Sequence, residues 1–203
     1  MTKVLLTGFE PFGGDAHNPT QDAVLTLRDR WTGPEALVTG ILPVTFAGAP
    51  EALRRLVDAE DPDVVIATGV AGGRGAISVE RVGVNLQDAR IPDNAGARPV
   101  DAESLPGGPA AAFATLPVED IVRAVADAGI PCEVSLSAGT FVCNHVLYRA
   151  LQHSPQRRVG FIHVPWATGQ APAGEPELPP EQIVRALELA VRVAAESAGG
   201  SPR

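Results

Sequence analysis

Cysteine is nearly absent: the 203-residue chain has two, Cys132 and Cys143, too few for a disulfide framework. In a reducing compartment both remain thiols. There is no CxxC, no HExxH and no His/Cys cluster at ligand spacing, so a structural zinc is not expected. Positive charge is also scarce. Sixteen Lys and Arg stand against 24 Asp and Glu, for a formal charge of −8, and no basic run occurs. That balance argues against nucleic acid and against an anionic membrane surface as partners. No apolar run approaches the roughly 20 residues needed to cross a bilayer. The opening MTKVLLTGFEPFGG has too short an apolar stretch for a secretory signal and runs into a Gly/Pro turn. A cytoplasmic location is therefore the expectation.

What is present is a core. With 45% hydrophobic residues, the chain is expected to form a single domain over 1–197, with 198–203 (AGGSPR) as a frayed tail. Short β-branched runs alternate with amphipathic helical patterns. Strands are expected at Lys3–Gly8, Leu37–Val44, Asp63–Gly69, Ile77–Leu86, Glu133–Ser137 and Arg158–Val164. Helices are expected from Asn18-Pro19, an N-cap followed by a first-turn proline, to about Arg30, and over Pro50–Glu60, Val118–Ala128, Asn144–Gln152 and Glu181–Ser197. Asp88–Pro109 is rich in Pro, Gly and Asp with no period, and a loop of that length is usually functional or mobile. The alternation predicts a three-layer α/β/α sandwich around a mostly parallel, mixed sheet. Reactive residues then belong at the carboxyl ends of strands.

The cluster Gly69-Val-Ala-Gly-Gly-Arg-Gly75 suggests a dinucleotide loop, but that fingerprint needs a helix directly after the glycines. Here the strand-like ISVERVGVN follows, and there is no GK[ST] for a P-loop. A tight turn where backbone approaches a ligand fits better.

Cys132, at the start of a buried strand in IPCEV, reads as a small core residue. Cys143 is open to two readings, core residue or nucleophile. It follows a strand and a Gly-Thr turn and opens a helix, where unpaired N–H groups and the helix dipole favour a thiolate and can hold an oxyanion. A thiolate that cleaves amides needs a base that later protonates the amine. His145 is adjacent but wrongly directed, since two helical positions rotate the side chain by about 200°. His153 lies about 15 Å further along the same axis. His17 sits in a loop with nothing to fix it. His163 ends the apolar strand VGFIHV before Pro165, and would meet Cys143 above the sheet if their strands were neighbours. Its other reading is a hydrogen-bonded core histidine. Glu80, among apolar neighbours in ISVERVGVN, could orient an imidazole, or could be an edge-strand charge or a partner of Arg81.

Five blocks, TGFEPFGG, GGRGAISVERVGVN, DARIPDNAG, SAGTFVCNH and GFIHVP, together resemble the pyroglutamyl peptidases of type I, the pyrrolidone-carboxylate peptidases. The resemblance runs from about Val4 to about Ala195, with the blocks in family order. It implies a cysteine exopeptidase that releases N-terminal L-pyroglutamate from peptides, needs no cofactor, keeps the α/β/α fold and assembles as a homotetramer or dimer. By position it implies Cys143 as nucleophile, His163 as base and acid, and Glu80 as the carboxylate orienting the imidazole. It also implies a pocket walled by Phe9, Phe12, Phe141 and Val142, with Asn18 and Ile91 close by and Arg90 near the catalytic centre. An apolar, aromatic pocket suits a neutral lactam whose amine is already cyclised.

Two departures stand out. Val70 occupies a position where family members commonly carry a glutamine of the substrate site, and the segment between Cys143 and His163 is a few residues short. Loss of a side-chain hydrogen bond at Val70 implies weaker binding, by about 1 kcal/mol, rather than no activity. A protein that keeps the pocket but has lost turnover is one alternative. A phosphorylase of purine nucleosides on a similar sheet is another.

Overall fold

A computed structural model describes residues 1–198. The expected tail falls almost entirely outside the described residues. Strands β1 (Lys3–Phe9), β2 (Ala36–Leu42), β3 (Val64–Val70), β4 (Ile77–Glu80), β7 (Cys132–Ser135) and β8 (Arg158–Val164) form one six-stranded sheet in the order β2-β1-β3-β8-β4-β7. The first four in that order are mutually parallel, whereas β4 runs antiparallel to β8 and parallel to β7. Helices α1 (Pro19–Arg30), α3 (Val118–Asp127) and α5 (Pro180–Ala198) cover one face, and α2 (Gly48–Glu60) and α4 (Val142–His153) cover the other. The α/β/α sandwich is therefore observed. No helix among the described residues is long and apolar enough to cross a membrane.

Strand periodicity sorts the core into two layers. Val4, Leu6, Val64, Ile66, Ile77, Val79, Ile162 and Val164 point to the α1/α3/α5 side. Leu5, Phe9, Val65, Ala67 and Phe161 point to the α2/α4 side. A period of two therefore sends Glu80 and His163 to the α2/α4 side as well, the side on which α4 begins.

Three local expectations change. Ile77–Leu86 is not one strand: β4 stops at Glu80, and β5 (Val82–Val84) pairs antiparallel with β6 (Ala111–Phe113) in a separate ribbon. Arg81 is the branch point, donating its backbone N–H to the Ser135 carbonyl of the main sheet and accepting from Ala114. The Pro/Gly-rich segment after Val164 contains a short parallel pair, β9 (Trp166–Ala167) and β10 (Glu177–Leu178). Finally, α4 starts two residues earlier than expected, at Val142, so Cys143 lies inside its first turn.

Candidate active site

The sheet order answers the condition attached to His163. Its strand, β8, does not adjoin β7, the strand that feeds Cys143; β4 lies between them, in register Ser78↔His163 and Glu80↔Ser135. The intervening strand is the one that carries Glu80. His163 Nδ1 and Glu80 Oε1 are 2.7 Å apart, with Glu80 fully buried and His163 3% exposed. Glu80 is thus neither an edge-strand charge nor a partner of Arg81, which instead pairs with Glu119.

A second cation reaches the same oxygen. Arg74, in the glycine turn after β3, donates to Glu80 Oε1 at 2.8 Å and to the Ser137 carbonyl at 2.8 Å. Burial alone would raise the Glu80 carboxyl, but the hydrogen bond and charge of His163, with Ser135 and Arg74 assisting, hold it below the usual glutamate range. An ionised carboxylate only accepts, so Nδ1 carries the proton and Nε2 keeps its lone pair. Burial also lowers the His163 imidazole, more than Glu80 raises it, and Arg74 lowers it further.

Cys143 shares a cavity of about 310 Å³ with His163. The close approach of β3 leaves room for the sulfur: a Cβ at Gly69 would stand 3.0 Å from Cys143 Sγ and 2.9 Å from the Phe161 ring. The helix start that favours a thiolate is opposed here by burial. Burial first, then the Glu80 charge, push the thiol up to about 12, against the pull of Arg74 and the backbone N–H. The dipole and N–H groups of α4 are present, but desolvation outweighs them. Burial thus opposes the charged form of both the thiol and the imidazole in the free site.

The other candidates sort by distance from this centre. Phe9, Phe12, Asn18, Val70, Arg90 and Phe141 all line the inner cavity, as does the fully buried Val142. All of these except Phe9 and Val142 also face an outer cavity of about 680 Å³, where the half-exposed Ile91 lies. Asn18 caps α1 as well: its Oδ1 accepts from Thr20 N at 3.0 Å and its Nδ2 donates to the Glu10 carbonyl at 2.9 Å.

The remaining histidines do not reach the cavity that holds Cys143. His145 is buried against Phe46, at 5.9 Å between ring centroids, and His153 bonds Asp58 on the surface. His17 faces the outer cavity only. Cys132 is partly buried on the edge strand β7, its thiol pushed up to about 11 by burial.

Several contributors were not singled out from the sequence. Phe46 packs edge-on against Phe141 at 5.1 Å, and Phe12 lies tilted at 5.2 Å from Phe141, so the Phe141 ring of the pocket wall touches two further aromatic rings. The Asn144 side chain exchanges hydrogen bonds with Val84 N and O, each at 2.9 Å, and bonds the Leu86 carbonyl. It thereby locks the first turn of α4 to β5. Trp166 borders the outer cavity and stands over Gly72. Among the described residues no cluster of His, Cys, Asp and Glu could hold a metal ion.

A buried carboxylate–imidazole pair, a thiol in the same cavity and helix-start N–H groups together suit nucleophilic attack on a carbonyl. Comparison with known proteins agrees. A family model described as pyroglutamyl peptidase matches residues 2–197. The pyrrolidone-carboxylate peptidase of Erwinia tasmaniensis is 48% identical over 197 residues, covering 95% of this chain and 92% of that protein. The one from Streptomyces coelicolor is 47% identical, covering 97% and 94%. The crystal structure of pyroglutamyl peptidase I from Bacillus amyloliquefaciens matches with a TM-score of 0.93 at 42% identity, covering 98% of both chains. That of pyrrolidone carboxyl peptidase from the hyperthermophile Pyrococcus furiosus matches at 0.90 and 40% identity, covering 97% and 100%. The chain belongs to the pyroglutamyl peptidase family.

Proposed function

We propose that this protein is a cysteine exopeptidase that hydrolyses the N-terminal L-pyroglutamyl residue of peptides through a thioester on Cys143. The observation that carries the reading is the buried Glu80–His163 pair at 2.7 Å, in a cavity shared with Cys143. Membership of the family supports the reaction class.

In the first step the Cys143 proton passes to His163 Nε2 as the sulfur bonds to the pyroglutamyl carbonyl carbon. Concerted transfer suits a thiol whose free ionisation is opposed by burial. The imidazolium that forms is stabilised by Glu80, and the oxyanion by N–H groups at the start of α4, which have no acceptor within the helix. The tetrahedral adduct then collapses: the C–N bond breaks, the amine leaves with the His163 proton, and the acyl group remains on sulfur. Water, deprotonated by His163, attacks the thioester. Pyroglutamate departs and the thiol regains its proton.

The aromatic wall of Phe12 and Phe141 supplies apolar faces for the lactam ring. A cytoplasmic location and assembly as a dimer or tetramer belong to the same proposal, the latter open to measurement by sedimentation. Release of arylamine from a pyroglutamyl-arylamide tests the reaction, with and without prior iodoacetamide. Peptide mapping should find the label that abolishes activity on Cys143. Full activity after complete alkylation of Cys143 would refute the proposal.

A further inference from the structure

Arg74 lies in the glycine turn after β3, and its one guanidinium reaches two parts of the site. Nη1 meets Glu80 Oε1 at 2.8 Å, the same oxygen that bonds His163, and stands 3.4 Å from Ser135 Oγ. Nη2 meets the Ser137 carbonyl at 2.8 Å. Ser137 begins the turn Ser137–Thr140 that leads into α4; its Oγ accepts from Gly139 N at 3.2 Å. The base of the arginine turn is itself fixed, because Ala71 N bonds the Val164 carbonyl at 2.9 Å, one residue after His163.

We propose that Arg74 is a positioning residue for the reaction: its fork holds the Glu80 carboxylate on His163 and ties the turn that delivers Cys143 to the same point. The proposal rests on the reading of Cys143, His163 and Glu80 given above. A planar fork can satisfy both acceptors at once, whereas a lysine ammonium offers one point charge on a flexible stem. Among the described residues Glu80 Oε2 is buried without a hydrogen-bond partner, so the carboxylate depends on what its other oxygen receives.

The charged and titratable groups around this pair are Arg74 from the glycine turn, His163 from β8, Cys143 from α4 and, across the same cavity, Arg90. Removing the Arg74 charge acts on Glu80, His163 and Cys143 in one direction. It lets Glu80 and His163 take up protons at higher pH, and it makes Cys143 harder to ionise. Both limbs of the activity profile therefore move upward. A residue that merely packed would lower the amount of active enzyme and leave the limbs in place.

The test compares wild type, Arg74→Met and Arg74→Lys as full chains. Active sites are counted by iodoacetamide incorporation at Cys143, folding is checked by circular dichroism, and kcat, KM and the pH profile are measured with a pyroglutamyl-arylamide. For Arg74→Met we expect kcat per active site to fall on the order of 10²-fold with KM changed by less than about threefold, the scale of a misplaced catalytic group. Its acidic limb should move to higher pH. Arg74→Lys should keep the limb near its wild-type position with an intermediate kcat. Wild-type kcat and limbs in Arg74→Met would overturn the proposal. So would a loss explained wholly by fewer active sites with unmoved limbs. Should Arg74→Met fail to fold, Arg74→Lys decides alone: unchanged kcat overturns the proposal. A wild-type protein without activity would instead refute the proposed function.

Discussion

Glu80 and His163 lie 83 residues apart in sequence, on antiparallel neighbouring strands, and their side chains meet at 2.7 Å inside the protein. Both face the layer that α4 enters, so the pair and Cys143 converge because of strand parity rather than sequence proximity. Glu80→Gln preserves size but exchanges the carboxylate for an amide that can donate to Nδ1 and favour the wrong tautomer. Loss of the orienting carboxylate in a triad costs about 10⁴-fold in kcat, and a drop on that scale is expected here. Steady-state kinetics with a pyroglutamyl-arylamide check it; a variant within about tenfold of wild type would contradict the orienting role.

Gly69 makes room for the reactive sulfur. A methyl there would sit 3.0 Å from Cys143 Sγ and 2.9 Å from Phe161. Gly69→Ala should therefore displace Cys143 and destabilise the fold by about 1–3 kcal/mol, the usual cost of overpacking. Thermal melting and active-site alkylation read the two effects separately. A variant with unchanged melting and unchanged alkylation rate would show that the sulfur has space to spare.

Val70 lies in the wall of both cavities, in register with Val164. Val70→Gln should add a hydrogen-bonding group at a point where the wall now presents an apolar side chain. One net hydrogen bond of about 1 kcal/mol corresponds to roughly fivefold in KM, with kcat less affected. A higher KM would mean that the cavity is shaped around the valine. A wild type that binds pyroglutamyl peptides without turning them over would favour the binding-protein alternative.

Acid sensitivity should come partly from His145. Burial, then the nearby Arg149 charge, lower its pKa from 6.5 to about 4 in the folded state. The unfolded chain thus binds the proton more readily. Its contribution to stability is full above about pH 6.5, declines as pH falls toward about 4, and is on the order of 3 kcal/mol. His145→Asn should flatten the fall in melting temperature across that window. Parallel curves for wild type and variant would remove His145 from the account.

The chain's own pattern made much of this legible. Alternation of apolar strands and amphipathic helices pointed to the sandwich, and VGFIHV placed His163 at a strand end. The N-cap of α1 was readable because Asn18-Pro19 satisfies local rules that tertiary structure did not override. Arg74 was not, since its acceptors lie 6 and 63 residues away and nothing local distinguishes it from a turn charge. The break at Arg81 was hidden for a similar reason. Alternation continues through it, while the partner changes from the main sheet to the β5–β6 ribbon. The desolvation acting on the Cys143 thiol was not legible either, because a helix start is visible in sequence whereas burial exists only after folding.

The central claim is that Cys143, and not Cys132, carries the acyl group. Cys143→Ala and Cys132→Ser differ from wild type by one side chain each, and neither leaves a buried charge behind. The measurement is arylamine release from a pyroglutamyl-arylamide by the three purified, folded proteins. The account predicts no release above background from Cys143→Ala and near wild-type release from Cys132→Ser. Turnover by Cys143→Ala at the wild-type rate would contradict it.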